Sequence, residues 1–218
     1  MSAGRSDWAR LFRIACSLIQ QVNSEQIIVD SWSFGGGTAL MLQIDHRESH
    51  DIDIFLSDAQ LLPFLDPKLH DFEFDIRPSE YGGDGTGFLK LAFDGVGEID
   101  FVVGRTMTNT PTKRQTIEDH EVDLETVAEI IAKKIHYRGA NIKPRDIFDI
   151  AAAAKHDRDS IVDALKAHKD DVGKALLAIE RLKPDFVNAA IADLAIKDLF
   201  KPIAGTAIED AKALLRLV

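Results

Sequence analysis

At 218 residues the chain is long enough for one or two domains with a proper core. Its 45% hydrophobic and 28% charged residues exclude a disordered, fibrous or collagen-like protein, and the single Cys16 excludes an intramolecular disulfide. A formal charge of −10, from 26 Lys and Arg against 36 Asp and Glu, repels phosphate backbones and argues against nonspecific nucleic-acid binding.

The opening stretch MSAGRSDWARLFRIACSLIQQVNSEQ has charges inside its apolar pattern, so it reads as neither signal peptide nor membrane span, and a cytoplasmic location is expected. Trp8, Leu11, Phe12, Ile14, Ala15, Leu18 and Ile19 recur at helical spacing and predict an amphipathic helix from Trp8 to Gln21, with Ser6 and Asp7 available as caps. Ile27 to Phe34 reads as a buried strand stopped by Gly35, Gly36 and Gly37, after which TALMLQI starts a short helix. DIDIFL, from Asp51 to Leu56, alternates with period two, carboxylates on one face and Ile52 and Ile54 on the other. A helix near Ala59 to His70 and strands at Phe72–Arg77, Phe88–Asp94 and Gly97–Gly104 follow, separated by the turn signals YGGDGTG and Asp94-Gly95. Beyond the polar TMTNTPTKRQT, from Leu124 onward, the pattern is helical, with a soft boundary near Thr106 to Thr116.

Three features carry chemistry. Glycines followed by a helix start let the backbone turn tightly and present free amides, a seat for phosphate to which the Thr38 hydroxyl adds a donor. Asp51 and Asp53, two apart on a strand, point to one face, and such a pair is best accommodated by a hard divalent cation such as Mg²⁺. Asp100 or Glu98, again on one strand face, can complete a three-carboxylate site; Asp100 is the better candidate, because the apolar Phe101-Val102-Val103 behind it should hold it rigidly.

Taken together, a glycine-hydroxyl turn, a DxD on the next strand and a later third acid resemble the DNA polymerase beta-like nucleotidyltransferases. More narrowly, GGTALMLQIDHRESHDIDIF resembles the opening block of the AbiEii-type nucleotidyltransferases, GG(S/T)AL followed by R-x-S-x-D-hydrophobic-D-hydrophobic-F, with Arg47, Ser49, Asp51, Asp53 and Phe55 in register. Their later helical block, a lysine followed by R-D-aromatic-D, is matched in AKKIHYRGANIKPRDIFDI by Lys134, Arg138, Arg145, Asp146 and Asp149, with Lys133 as an alternative to Lys134. The resemblance covers about Phe34 to Ile150 and leaves the last third of the helical half without a motif.

The resemblance implies an α+β protein: a polymerase-beta-like mixed sheet with flanking helices over residues 1–110, then a helical C-terminal domain over 111–218 that closes over the nucleotide. It implies two Mg²⁺ ions, with Mn²⁺ as a substitute, bridged by Asp51 and Asp53, with Asp100 on the ion beside the attacking hydroxyl. Gly36, Gly37 and Thr38 would cradle the nucleoside triphosphate, Arg47 and Ser49 would add to that binding, Lys134 would neutralise it, and Asp146 would orient Lys134 or touch the nucleotide. Lys134 is then expected as an exposed clamp of little consequence for folding, with Lys133, about 100° around the helix, pointing elsewhere. The implied function is that of the toxins of abortive-infection toxin-antitoxin systems, with a cognate antitoxin as a partner. An RNA end, a protein hydroxyl and a small molecule remain open as acceptors. A small-molecule, antibiotic-type transferase and an inactive nucleotide- or partner-binding module are the alternatives. His46 and His50 have no Cys or third close His beside them, and oxygen-rich surroundings favour Mg²⁺ over zinc there.

Overall fold

The computed structural model describes residues 7–218. Apolar residues three and four apart give α1 (Trp8–Val22) a single buried stripe that includes Leu11, Phe12, Ala15 and Leu18. Asp7 stands at its N-cap without a side-chain capping bond, and Ser6, the other expected cap, lies outside the described residues.

The strand expected over Ile27–Phe34 is corrected: β1 spans only Trp32–Gly35, and Ile27 is exposed. Asn23 explains the difference. Its side-chain oxygen accepts from the amides of Ile28 and Val29, each at 2.9 Å, and its nitrogen donates to the Val29 carbonyl, so this backbone is satisfied without a ladder. α2 (Gly36–Ile44) and β2 (Ile52–Leu56) follow as expected, and β2 buries Ile52, Ile54 and Leu56 on one face.

The helix expected over Ala59–His70 shrinks to a 3-10 turn at Ala59–Leu61 and α3 (Leu62–Leu65). Pro67 disfavours helical geometry in the residue before it, and Asp66 is extended at φ −81°, ψ 115°. Phe72–Arg77 is not a strand either, because the Gln21 carboxamide takes both the amide and the carbonyl of Glu73, each at 2.9 Å. The third strand is instead β3 (Glu80–Gly83), which overlaps the start of the glycine-rich run that reads as a turn. β4 (Phe88–Phe93) and β5 (Gly97–Val103) lie where expected.

The polar stretch before the helical half conceals a hairpin of β6 (Thr112–Ile117) and β7 (His120–Glu125). β6 buries none of its residues, so it carries no apolar alternation to read. Its turn needs left-handed backbone, supplied by Glu118 at φ 48° and Asp119 at φ 65°. The rest is helical as expected: α4 (Val127–Arg138), α5 (Pro144–Leu165), α6 (Lys169–Arg181), α7 (Pro184–Ala192), α8 (Lys201–Ala204) and α9 (Ala207–Leu215). Among the described residues no helix is long and apolar enough to cross a membrane.

The seven strands form one mixed sheet in the order β3-β4-β5-β2-β1-β7-β6, with β2/β5 and β1/β7 parallel and the other pairs antiparallel. Two units interleave along the chain. The sheet unit comprises the described residues up to Ala39, Ser49–Arg105 and Thr112–Glu125, and its core includes Phe12 and Phe34, whose rings lie 5.0 Å apart. The helical unit comprises Leu40–Glu48, Thr106–Pro111 and Thr126–Val218, with Ile131, Phe148 and Ala151–Ala153 fully buried.

Candidate active site

β1 ends at Gly35, and Gly36 opens α2 with φ +71°, a conformation that only glycine adopts at no steric cost. A Cβ on Gly36 would fall on the Asp53 carboxylate. Gly37 follows in the first turn of α2. Thr38 is fully buried and its hydroxyl donates to the Asp51 carbonyl at 2.5 Å, so that hydrogen is spent on positioning the acidic strand.

Asp51 stands one residue ahead of β2 and accepts from the Glu98 amide through Oδ1 at 3.1 Å. Asp53 and Asp100 are direct partners in the parallel pairing of β2 with β5, so their side chains leave the same sheet face about 4.8 Å apart at the backbone. Lys90 is the partner of Asp100 on β4, and Gly35 is the partner of Asp53 on β1. A row Lys90, Asp100, Asp53, Gly35 therefore crosses four strands.

The electrostatics of that row favour an added cation. Asp100 Oδ1 is shielded from solvent and accepts no hydrogen bond; its ion pair with Lys90 Nζ is long, at 3.5 Å. Burial, and then the Asp53 charge, push the Asp100 carboxyl up to about 6 against the pull of Lys90. Lys90 itself is ion-paired with Glu98. Burial works to lower its pKa, but the hydrogen bond to Glu98 and the charges of Asp100 and Glu98 outweigh it and raise the pKa. Two facing carboxylates, one with a buried oxygen that accepts no hydrogen bond, form a hard-oxygen donor set that fits Mg²⁺ or Mn²⁺.

Glu125 escaped the sequence reading, because it ends a strand that was not legible. It follows Leu124, the β7 partner of Phe34, and is buried, with Oε1 accepting from Ser33 Oγ at 2.7 Å. A Cβ on Gly35 would overlap its carboxylate, so Gly35 and Gly36 together leave room for two acids, Glu125 and Asp53.

The remaining candidates belong to the helical unit, apart from Ser49, which is half-buried in the loop before β2. Lys134 is not the exposed clamp expected of it: it is buried, with Nζ 2.8 Å from Asp146 Oδ1 and 3.0 Å from Asp149 Oδ2. Lys133 is buried as well and pairs with Glu129 at 3.7 Å. Arg47 reaches the same Asp149 through Nε at 2.7 Å and Nη2 at 3.0 Å, and the buried His46 Nε2 donates to Asp149 Oδ1 at 2.9 Å. Asp149 is thus the hub of the cluster. Its signal in the sequence is its place three residues after Asp146, on the same face of a helix.

Burial opposes the charged form of all three central groups and is outweighed in each. The Lys134 and Arg47 charges hold Asp149 well below the carboxylate range, Lys134 holds Asp146 low, and the Asp149 and Asp146 charges raise Lys134. Arg138, at 3.8 Å from Asp146, adds a third cation beside Arg47 and Lys134 against two carboxylates.

Comparison with known proteins agrees with the fold. A crystal structure described as that of a candidate nucleotidyltransferase from H. pylori matches with a TM-score of 0.50 at 16% identity, covering 98% of this chain and 95% of that one. The Bradyrhizobium diazoefficiens CD-NTase CdnG, solved in complex with GTP, matches with a TM-score of 0.40 at 12% identity over 97% of this chain and 85% of that one, a level at which a common fold is not established. No curated protein matches the chain in sequence. The family model described as "Nucleotidyl transferase AbiEii toxin, Type IV TA system" matches residues 18–215, and the chain belongs to that nucleotidyltransferase family.

Proposed function

We propose that the protein is a Mg²⁺-dependent nucleotidyltransferase that moves a nucleotide from a nucleoside triphosphate to an acceptor hydroxyl, and that it acts in the cytoplasm as a toxin restrained by a cognate antitoxin. The observation that carries this reading is the Asp53–Asp100 pair, in register on neighbouring parallel strands, with Asp100 Oδ1 shielded and accepting no hydrogen bond. Asp51, Asp53 and Asp100 would hold the metal. The chemistry such an ion supplies when bound is charge neutralisation on the phosphates and a lowered pKa for the attacking hydroxyl. The chain itself contributes a glycine turn at the start of α2, whose amides suit phosphate oxygens, and a Thr38 bond that keeps Asp51 aligned. From the helical unit, Lys134 is the cation we assign to the triphosphate, held in place by Asp146 and Asp149. Arg47 supports it through Asp149, and Ser49 is assigned to nucleotide binding on the family resemblance alone.

The test is incubation of the purified protein with labelled nucleoside triphosphates and Mg²⁺, offered separately total RNA, cell protein or a metabolite pool. Label on one acceptor class, lost with chelator and in Asp53→Asn, supports the reading and identifies the acceptor. No transfer to any class in the presence of Mg²⁺ or Mn²⁺ overturns it.

A further inference from the structure

Helices α4 and α6 approach closely within the helical unit. Gly139, just past α4, faces α6 so tightly that a Cβ there would lie 3.2 Å from Ala175 Cβ and 3.3 Å from the Asp171 carbonyl oxygen. Three metal-ligating side chains meet beside this contact. His136 comes from the last turn of α4, His168 from the 3-10 turn Lys166–His168, and Asp171 from the first turn of α6. One ring nitrogen of each histidine and one carboxylate oxygen of Asp171 all lie within 4.8 Å of one another. We propose that His136, His168 and Asp171 form a second metal site, one for a transition ion of the zinc class, which clamps α4 to α6.

Donor chemistry selects the ion. Two imidazoles and one carboxylate are the ligands of a three-residue zinc site with an open fourth position, whereas Mg²⁺ prefers oxygen alone. An outer hydrogen bond is already in place: His168 Nε2 lies 3.0 Å from the Met107 carbonyl oxygen. That oxygen can only accept, so Nε2 carries the proton and Nδ1 the lone pair, the arrangement that orients ligating histidines elsewhere.

Geometry asks for small movements only. Ligands about 2.1 Å from a tetrahedral ion stand about 3.4 Å apart, so the 2.6 Å contact between His136 Nδ1 and Asp171 Oδ2 opens while the wider spacings close. Both side chains keep partial exposure, 26% for His136 and 17% for Asp171, which allows that adjustment and gives an ion access. Lys174 Nζ, 2.9 Å from Asp171 Oδ1, competes for the carboxylate and tunes affinity downward.

The experiment uses the full chain, stripped with chelator and titrated with Zn²⁺ against a chromophoric chelator, with Co²⁺ absorption reporting coordination. One equivalent bound at micromolar or tighter affinity, with a rise in melting temperature, is expected. His136→Ala and His168→Gln should each weaken binding at least tenfold and remove the thermal rise, while Asp53→Asn leaves both intact. Circular dichroism establishes that each variant is folded. Binding weaker than about 100 µM in the wild type, or binding lost in Asp53→Asn but kept in the folded His168→Gln protein, overturns the proposal.

Discussion

The Asp53 carboxylate occupies the space that a Cβ on Gly36 would fill. Two segments that read separately, a glycine turn and an acidic strand, are therefore one steric unit: the acid reaches its position only because the turn has no side chain. Gly36 also needs φ +71°, so both backbone and packing demand glycine there.

Gly36→Ala should cost about 1–3 kcal/mol in stability and most of the transferase activity, because it strains the backbone and displaces Asp53. Gly173→Ala is the matched control. Gly173 lies inside α6 with open space around it, so alanine there should add about 0.5–1 kcal/mol. Urea unfolding of both variants checks the contrast.

Asp100→Asn should reduce transfer by about 100- to 1,000-fold, the usual scale for losing one electrostatic contact to the transition state. It should also leave the metal-free protein as stable or more so. A raised carboxyl pKa means that folding disfavours the ionised form at neutral pH, and Asn removes that burden. Melting temperatures in chelator, paired with activity in Mg²⁺, test both halves.

Asp149→Asn should destabilise by about 3–5 kcal/mol, since Lys134 and Arg47 lose a buried counter-charge. The pH dependence has a definite sign. A carboxyl depressed in the folded state contributes stability above its unfolded pKa, about 3.9, and loses it as pH falls through the folded value. Wild-type stability should thus decline steeply below about pH 4, and Asp149→Asn should flatten that acid limb. Urea midpoints measured from pH 3 to 7 give the comparison.

Lys134→Ala should impair both folding and transfer, because the ammonium is buried between Asp146 and Asp149. Lys134→Arg, which keeps the charge, should recover more stability than activity, since the longer guanidinium does not fit a point-charge site. Chemical denaturation alongside single-turnover transfer separates the two effects.

Asn23→Ala should remove three hydrogen bonds at once and cost about 1–3 kcal/mol. Faster hydrogen exchange at the Ile28 and Val29 amides is the local signature.

By itself the sequence determined the elements whose signal is periodic. The apolar stripe of α1, the alternation of β2, β4 and β5 and the helical second half were legible because burial of one face imposes a period of 3.6 or 2. Alternation also assigned Asp53 and Asp100 each to a face of its own strand, whereas their meeting in register, with Asp51 one residue ahead of β2, came from the pairing of β2 with β5. Tertiary structure alone decided what depended on partners far along the chain. Gln21 and Asn23 take the backbone bonds of two segments that would otherwise read as strands. β6 forms by pairing with β7 with no residue of its own buried, and Glu125 reaches the Gly35 turn only through the β1/β7 register. Asp149 gathers His46, Arg47 and Lys134 from two distant stretches, and burial turns an apparent surface lysine into part of an ion-pair cluster. Periodicity reports which face a residue takes, whereas side-chain capture of a backbone and the meeting of charges across long loops leave no local period to read.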